Sequence, residues 1–195
     1  MNFTEEQISD MLDNSYRNFH TTGFDYICLE RSPQLTRKLY FLDGEASQLP
    51  EVVNPHDHRY AFRTTVLAGE MTDFRFELSD DGEVFNAFDY RTPLNGGDGF
   101  TFRGEERLRK YMNVQMSKGE SLFTAQDNLH TISMRSDQTV IMLEQYEDLV
   151  PLDVPTSCWS PAQSSNRPDQ LDTGLYEKFN IDQLIDRLKT IESLL

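Results

Sequence analysis

A long succession of short β-type segments constrains this chain more than any other feature of its sequence. Between residues 24 and 150, runs rich in β-branched and aromatic residues are interrupted by turn residues about every 8–12 positions. Roughly nine to eleven strands fit this pattern, and strands this short favour a closed or sandwiched antiparallel architecture. We therefore predict an all-β barrel over residues 24–150.

Helical segments flank the predicted barrel. Residues 1–23 contain an apolar stripe at helical spacing, and Thr4 opens a capping box at its start. Residues 180–195 contain a second apolar stripe, which predicts a C-terminal helix. Residues 151–179 are rich in Pro, Ser and Gln without periodicity, which predicts an irregular segment that wraps the outside. At 195 residues, a single domain is the default.

The charge balance limits the partners of the chain. It has 18 basic and 33 acidic residues, which give a formal net charge of −15. Such a surface repels phosphate backbones and anionic lipids, so we expect neither nucleic acid nor a membrane as partner. The start lacks the regions of a signal peptide, and no apolar run reaches the ~20 residues of a membrane span. The two cysteines, Cys28 and Cys158, form no zinc motif or disulfide framework, so a cytoplasmic protein is the simplest interpretation.

Three of the four histidines indicate a metal site. His56 and His58 are separated by one residue, and on a strand two such side chains point to the same face. His130 lies in a second apolar segment that is bounded by turn residues. A third imidazole from a neighbouring strand would complete a three-histidine site, and imidazole is the commonest metal ligand. We predict that these three residues bind one divalent metal ion inside the barrel.

The segment from residue 60 to residue 78 predicts a hairpin with one buried and one wet face. Apolar and polar residues alternate along its second strand: Phe74, Phe76 and Leu78 against Asp73, Arg75 and Glu77. We expect the apolar side chains to face the interior. Arg63 and Arg75 on the paired strands are expected to be exposed, although a buried arginine would bind a substrate carboxylate through two hydrogen bonds.

The histidine pair resembles the first motif of the cupin superfamily. In that motif a glycine precedes His-x-His by five residues, a glutamate follows after three or four, and a second glycine comes six residues later. Here His56 and His58 are followed by Phe62 at the glutamate position and by Gly69 in register. Pro50 replaces the first glycine. Because Phe62 shares strand parity with the histidines, we expect it beside the metal in place of a carboxylate ligand.

The segment around His130 is similar to the second cupin motif. Gly119 and His130 have the separation of the glycine and histidine of that motif. Three other motif positions, a proline, a glycine and an asparagine, are replaced by Ala125, Asp127 and Met134. The resemblance covers about residues 38–147, and it implies a jelly-roll barrel of the cupin type. It also implies a homodimer, because cupins often pair.

A cupin with three histidines and no glutamate resembles the thiol-dioxygenase branch, which includes cysteine dioxygenase. The resemblance implies an Fe(II)-dependent dioxygenase that acts on a small thiol or carboxylate, with Zn, Ni or Mn as other candidate metals. It also places a catalytic tyrosine near Tyr146 and a carboxylate-binding arginine near Arg31 or Arg37. Tyr60 shares the predicted face of the histidines and is a second candidate for hydrogen bonding to oxygen or substrate.

Two other functions remain open from the sequence. A metal-dependent cupin isomerase or lyase would act on a sugar or small acid and would need a general base, for which Glu144, Glu77 or a tyrosine is available. A barrel that binds a ligand without catalysis is the third interpretation. The fold alone does not decide between them.

Overall fold

The computed structural model describes residues 3–92, 96–162 and 174–194. Its described part contains three helices: α1 (Glu5–Asn14), α2 (Glu45–Gln48) and α3 (Ile181–Leu194). It also contains nine strands: β1 (Phe24–Arg31), β2 (Leu35–Leu42), β3 (Tyr60–Ala68), β4 (Glu70–Arg91), β5 (Gly99–Ser117), β6 (Ser121–Thr124), β7 (Leu129–Met134), β8 (Thr139–Asp148) and β9 (Thr156–Pro161). The predicted fold class, mostly β with a helix near each end, is confirmed.

Two antiparallel sheets pack face to face. The first has the strand order β1-β2-β8-β3-β6. The second has β4 at its centre, with β5 along one edge and both β7 and β9 along the other. Their inner faces meet in one apolar cluster, to which the first sheet contributes Leu42, Val66 and Ile141 and the second contributes Met71 and Met134. This cluster fills one part of the interior and leaves the other part to polar side chains.

The two long helices cover the outer face of the first sheet. Met11 of α1 and Leu184 of α3 pack with Leu39 and Phe41, which alternate along β2 with the inward-facing residues. A capping box closes the start of α1, as the sequence predicts, because the side chain of Thr4 accepts from the backbone N–H three residues on. These helices therefore seal the apolar back of the sheet and take no part in its inner face.

The segment after the barrel is more regular than the sequence indicates. We predicted an irregular wrap over residues 151–179, but β9 pairs in register with residues 85–90 of β4. Its backbone donors and acceptors continue the sheet that β7 begins, and its Trp159 is buried against Phe85. Residues 163–173 of the predicted wrap lie outside the described residues.

The hairpin prediction was wrong about which face is wet. Asp73 and Arg75 are only 3% and 4% exposed, whereas Leu78 is 61% exposed. The polar side of β4 faces the interior there, because polar partners on the neighbouring elements satisfy it. The alternation is therefore real, but it does not separate a buried face from a wet one, because Phe76 on the opposite face is also only 6% exposed.

Candidate metal centre

The histidine pair lies on an irregular segment that precedes β3, and not on a strand as predicted. Its backbone is fixed by two neighbouring strands. The amide of His56 donates to the carbonyl of His130 at 3.0 Å, and the amide of His130 donates back to His56 at the same distance. The amide of Trp159 in β9 donates to the carbonyl of Pro55 at 2.9 Å. His56 therefore forms one isolated β-bridge with β7, at His130, and one with β9, at Cys158. These bridges place His56 beside His130.

The three predicted imidazoles converge. The ring centroids of His56 and His58 are 4.6 Å apart, and those of His56 and His130 are 5.1 Å apart. One ligand nitrogen from each of the three residues lies within 4.8 Å of the others. His130 is buried, and the other two are partly buried. The part of the chain that the structure describes holds no other group of three such ligands.

Hydrogen bonds on the far sides of two rings decide which nitrogen faces the centre. Nδ1 of His56 donates to the carbonyl oxygen of Asn54 at 2.8 Å. Nδ1 of His130 donates to Oδ2 of Asp73, also at 2.8 Å. With the proton on Nδ1, each ring turns the lone pair of Nε2 inward, which is the state that a metal ligand needs.

The spacing of the nitrogens suits a metal ion. Nε2 of His58 is 3.0 Å from Nε2 of His130. Two nitrogens that each lie about 2.1 Å from one ion, at right angles to each other, are about 3.0 Å apart. Without a metal, one proton has to lie between them, donated by His58 to the lone pair of His130. A metal ion held by both nitrogens would take the place of this proton.

Burial keeps the imidazoles neutral. It lowers the pKa of His56 to about 3, and the proximity of His130 lowers it further in the same direction. Burial also lowers the pKa of His58 well below its usual value, with His56 and His130 acting in the same direction. Only the neutral imidazole binds a metal, so these two ligands do not compete with protons at neutral pH.

A buried network supports His130 from behind. Asp73, which accepts from His130, lies with its other carboxylate oxygen 2.5 Å from Nε of Arg75. Nη2 of Arg75 donates to Oγ1 of Thr124 at 2.8 Å, and Thr124 is fully buried. Nη1 of Arg75 is buried and has no hydrogen-bond partner among the described residues. The carboxylate–histidine arrangement is one that fixes ring orientation in metal sites.

Aromatic side chains form the wall of the site. Phe62 is 1% exposed, and its ring centroid is 4.7 Å from that of His58 and 5.5 Å from that of His130. The ring of Tyr60 is 5.2 Å from that of His58. Burial, followed by the charge of Asp148, raises the pKa of Tyr60 to about 12, so its hydroxyl stays protonated and can donate a hydrogen bond. The wall therefore excludes water from one side and offers one donor.

Two predicted residues lie on the wrong face of the sheet for the roles assigned to them. Arg63 is exposed and pairs with Glu144 of β8. It directly follows the inward-facing Phe62 in β3, so its side chain points to the opposite face. Tyr146 pairs with Leu35, on the face opposite to the histidines, and its ring is 6.3 Å from the exposed Phe123. Strand alternation directs both side chains outward.

The other two predicted arginines differ from each other. Arg75, expected to be exposed, is buried and ion-paired with Asp73, so its main contacts support the histidine network. Arg31 lies at the end of β1, where its Nη2 donates to the hydroxyl of Tyr26 at 3.2 Å. Of the two, Arg31 is the one whose side chain has no acidic partner among the described residues.

Comparisons with known proteins were made for the sequence and for the structure. No family model matches the sequence, and no curated protein matches it. Solved structures similar to the chain include a cupin superfamily protein from Desulfitobacterium hafniense, with 12% identity, a TM-score of 0.37, and coverage of 63% of this chain and 76% of that one. A second is the hydroxypropylphosphonic acid epoxidase from S. wedmorenis, with 13% identity, a TM-score of 0.42, and coverage of 70% and 57%.

A third similar structure is the DMSP lyase DddQ from Ruegeria pomeroyi, with 11% identity, a TM-score of 0.40, and coverage of 74% of this chain and 54% of that one. The matched region thus spans little more than half the length of the epoxidase and of the lyase. At TM-scores this low, the function has to be argued from the site itself.

Sequence analysis missed the polar groups that surround the histidines. Asp73 was assigned to a wet face, and the carbonyl of Asn54 carries no signal that a sequence pattern would reveal. Lys38 opens the short apolar run of residues 38–42, and it is buried in β2 on the same face as Leu42 of the inner cluster. A lysine inside such a run was the available sign of a functional residue, because lysine is rarely buried unless its charge is paired.

Proposed function

We propose that the protein is a metal-dependent enzyme, most simply an Fe(II)-dependent dioxygenase that acts on a small thiol or carboxylate substrate. The observation that carries this proposal is the convergence of three imidazoles without a carboxylate among them. Among the described residues, the carboxylate of Asp73 contacts a ligand, but it binds the far nitrogen of His130. Three neutral ligands leave the full charge of a divalent ion for an anionic substrate.

Each group of the site has a distinct role in this proposal. His56, His58 and His130 hold the metal, and Asp73 keeps the proton of His130 on Nδ1. Iron(II), when bound, supplies open coordination positions and a redox-active Lewis acid. Phe62 keeps water away from the ligand nitrogens, and the protonated hydroxyl of Tyr60 donates a hydrogen bond to the substrate or to oxygen.

The two carboxylates considered as the base of an isomerase or lyase are ion-paired elsewhere. Glu144 pairs with Arg37 on the outer side of the sheet, at 3.1 Å. Glu77 pairs with Arg109, which is itself half exposed. Neither carboxylate that was considered for proton transfer therefore reaches the histidines, and a tyrosine with a raised pKa is a poor base at neutral pH. This geometry favours the oxidative proposal.

Oxygen consumption tests the proposal. Protein without a histidine tag is loaded anaerobically with Fe(II), Mn(II) or Zn(II), and oxygen uptake is followed with small thiols that carry a carboxylate. We expect uptake with the iron form alone, and its loss in His58→Gln. The same substitution in the fourth histidine, His20→Gln, is the matched control and should retain activity.

The outcomes separate the alternatives. Iron-loaded protein that consumes no oxygen with any such thiol would exclude the dioxygenase. Turnover of a sugar or small acid under anaerobic conditions with Mn(II) or Zn(II) would favour the isomerase or lyase in its place.

A further inference from the structure

Lys38 is a buried ammonium group without an acidic partner. The residue is 9% exposed and lies in the middle of β2, opposite Cys28 of β1 and Leu143 of β8. Among the described residues, its Nζ makes no hydrogen bond or ion pair. Its near neighbours are instead two aromatic faces, with the ring centroids of Tyr60 at 5.2 Å and Tyr26 at 5.6 Å. A buried cation in such a position costs free energy unless something compensates it.

The ammonium of Lys38 lies on the inner side of the sheet, near the histidines. Leu42, four residues further along β2, lies in the inner cluster, so strand parity directs Lys38 inward as well. The ring of Tyr60 connects the two parts, since it lies 5.2 Å from the ring of His58 and 5.2 Å from the ammonium of Lys38. The charge of Lys38 also contributes to the lowered pKa of His58.

Among the charges that act on Lys38, the one with the largest effect is another cation. The guanidinium of Arg31 is close enough to lower the pKa of Lys38, after burial, to about 8. The carboxylate that acts on the pKa of Lys38 is that of Asp148, which raises it and is exposed at the end of β8. Both tyrosines beside it are neutral, because burial raises the pKa of each. A chain with a net charge of −15 thus places the exposed guanidinium of Arg31 close to the buried ammonium of Lys38.

We propose that Lys38, assisted by Arg31, binds the carboxylate of a small substrate whose other end reaches the three-histidine centre. A carboxylate would supply the acceptor that the ammonium lacks, between the faces of Tyr26 and Tyr60. The ends of β1 and β8, where the exposed Arg31 and Asp148 lie, give this region a charged border. The assignment of a substrate end rests on the proposed function, whereas the anion site itself stands without a metal.

The test compares an acid with its neutral isostere. Binding of propionate and of propionamide to metal-free protein is measured by ligand-observed NMR at neutral pH, and repeated with the zinc-loaded protein. We expect propionate to bind at least about tenfold more tightly, as a charge-assisted hydrogen bond implies. Lys38→Met should remove this preference, and Lys38→Arg should restore part of it.

Lys110→Met is the matched control. Lys110 also lies over aromatic rings, 4.0 Å from the centroid of Phe74, but it is 40% exposed and close to Glu51. Its replacement should leave the preference for propionate unchanged. If Lys38→Met does not fold, ring resonances of the unmodified protein give the answer: propionate should shift those of Tyr26 and Tyr60 and leave the exposed Tyr111 unmoved.

Two results would overturn the proposal: equal binding of propionate and propionamide, or a preference that survives in Lys38→Met. Failure of the proposed metal function looks different. In that case the protein would bind no metal, yet propionate would still bind in a manner that depends on Lys38.

Discussion

The two ends of the candidate site, the three histidines and the surroundings of Lys38, are built in opposite ways. At the histidine end, two rings have fixed tautomers, and a chain of contacts from His130 through Asp73 and Arg75 reaches Thr124. At the lysine end, the ammonium of Lys38 faces two rings and has no described acceptor. At the histidine end each ligand ring and its supporting carboxylate have a partner, and only Nη1 of Arg75 lacks one among the described residues. At the lysine end the charged group itself lacks an acceptor, which a ligand would bring.

This difference shows that a metal site and an anion site have opposite structural requirements. A metal site needs nitrogens held in place, so its supporting groups are paired and buried. An anion site gains most when its cation is poorly solvated, because a hydrogen bond to a charged group is stronger away from water. Substitutions at the two ends should therefore have opposite effects on stability and binding.

The largest expected effect comes from Asp73→Ala. It leaves the buried guanidinium of Arg75 without its partner, and such a loss costs about 3–5 kcal/mol of folding free energy. Urea unfolding of the metal-free protein measures it. Asp81→Ala is the control, because the ion pair of Asp81 with Arg109 is exposed and its removal should hardly change the free energy of unfolding. Equal losses in the two variants would show that the buried network has no special weight.

Asp73→Asn should have a smaller effect and act on metal affinity. The substitution keeps an oxygen near His130 but removes the charge that stabilises its orientation, and we expect metal affinity to fall about 10–100-fold. Competition with a chelator measures the change. Asp57→Asn is the matched control, since Asp57 lies between two of the ligands but accepts from the backbone of Ser157 at 2.7 Å. A similar fall in both variants would contradict the role given to Asp73.

Acid should weaken the metal-free protein before the carboxylates titrate. The pKa of His56 is lowered to about 3 in the folded state, whereas an unfolded histidine titrates near 6.5. The unfolded chain therefore binds more protons between these values, and stability falls as the pH drops below about 6.5. Between pH 7 and pH 5 we expect a loss on the order of 1 kcal/mol from this residue, allowing for its partial exposure. His56→Gln should flatten the slope, and an unchanged slope would contradict the assignment.

Lys38→Met should have the smallest effect on stability and the opposite sign. The pKa of Lys38 is lowered to about 8, chiefly by burial, so the folded state carries the cost of a buried charge below that pH. Replacement at pH 7 should cause no loss and a gain on the order of 1 kcal/mol, measured by urea unfolding. A loss comparable to that of Asp73→Ala would show that the ammonium has a structural partner.

The sequence predicted the parts of this molecule that depend on local patterns. The β-type segments, the capping box at Thr4 and the grouping of His56, His58 and His130 all follow from residue type and spacing. None of the helices in the described part of the chain is long and apolar enough to cross a bilayer.

What the sequence could not supply depends on contacts between distant segments. The alternation around Asp73 and Arg75 predicted a solvent-exposed strand face. Their buried partners, His130 and Thr124, lie about fifty residues or more away along the chain, so the local pattern does not reveal them. Tyr146 was assigned to the site through a resemblance, and Arg63 through its place on a paired strand. The pairing of β8 with β2 and β3 places both side chains on the outer face of the sheet. One residue of register decides such roles, and spacing along the chain does not fix it.

Metal stoichiometry tests the central claim most directly. Protein without a histidine tag is incubated with Fe(II) or Zn(II), freed of excess metal and measured by elemental analysis, together with His130→Ala and His20→Ala. The account predicts about one metal ion per chain in the unmodified protein and in His20→Ala, and almost none in His130→Ala. Equal metal content in His130→Ala, or no bound metal in a folded unmodified protein, would contradict it.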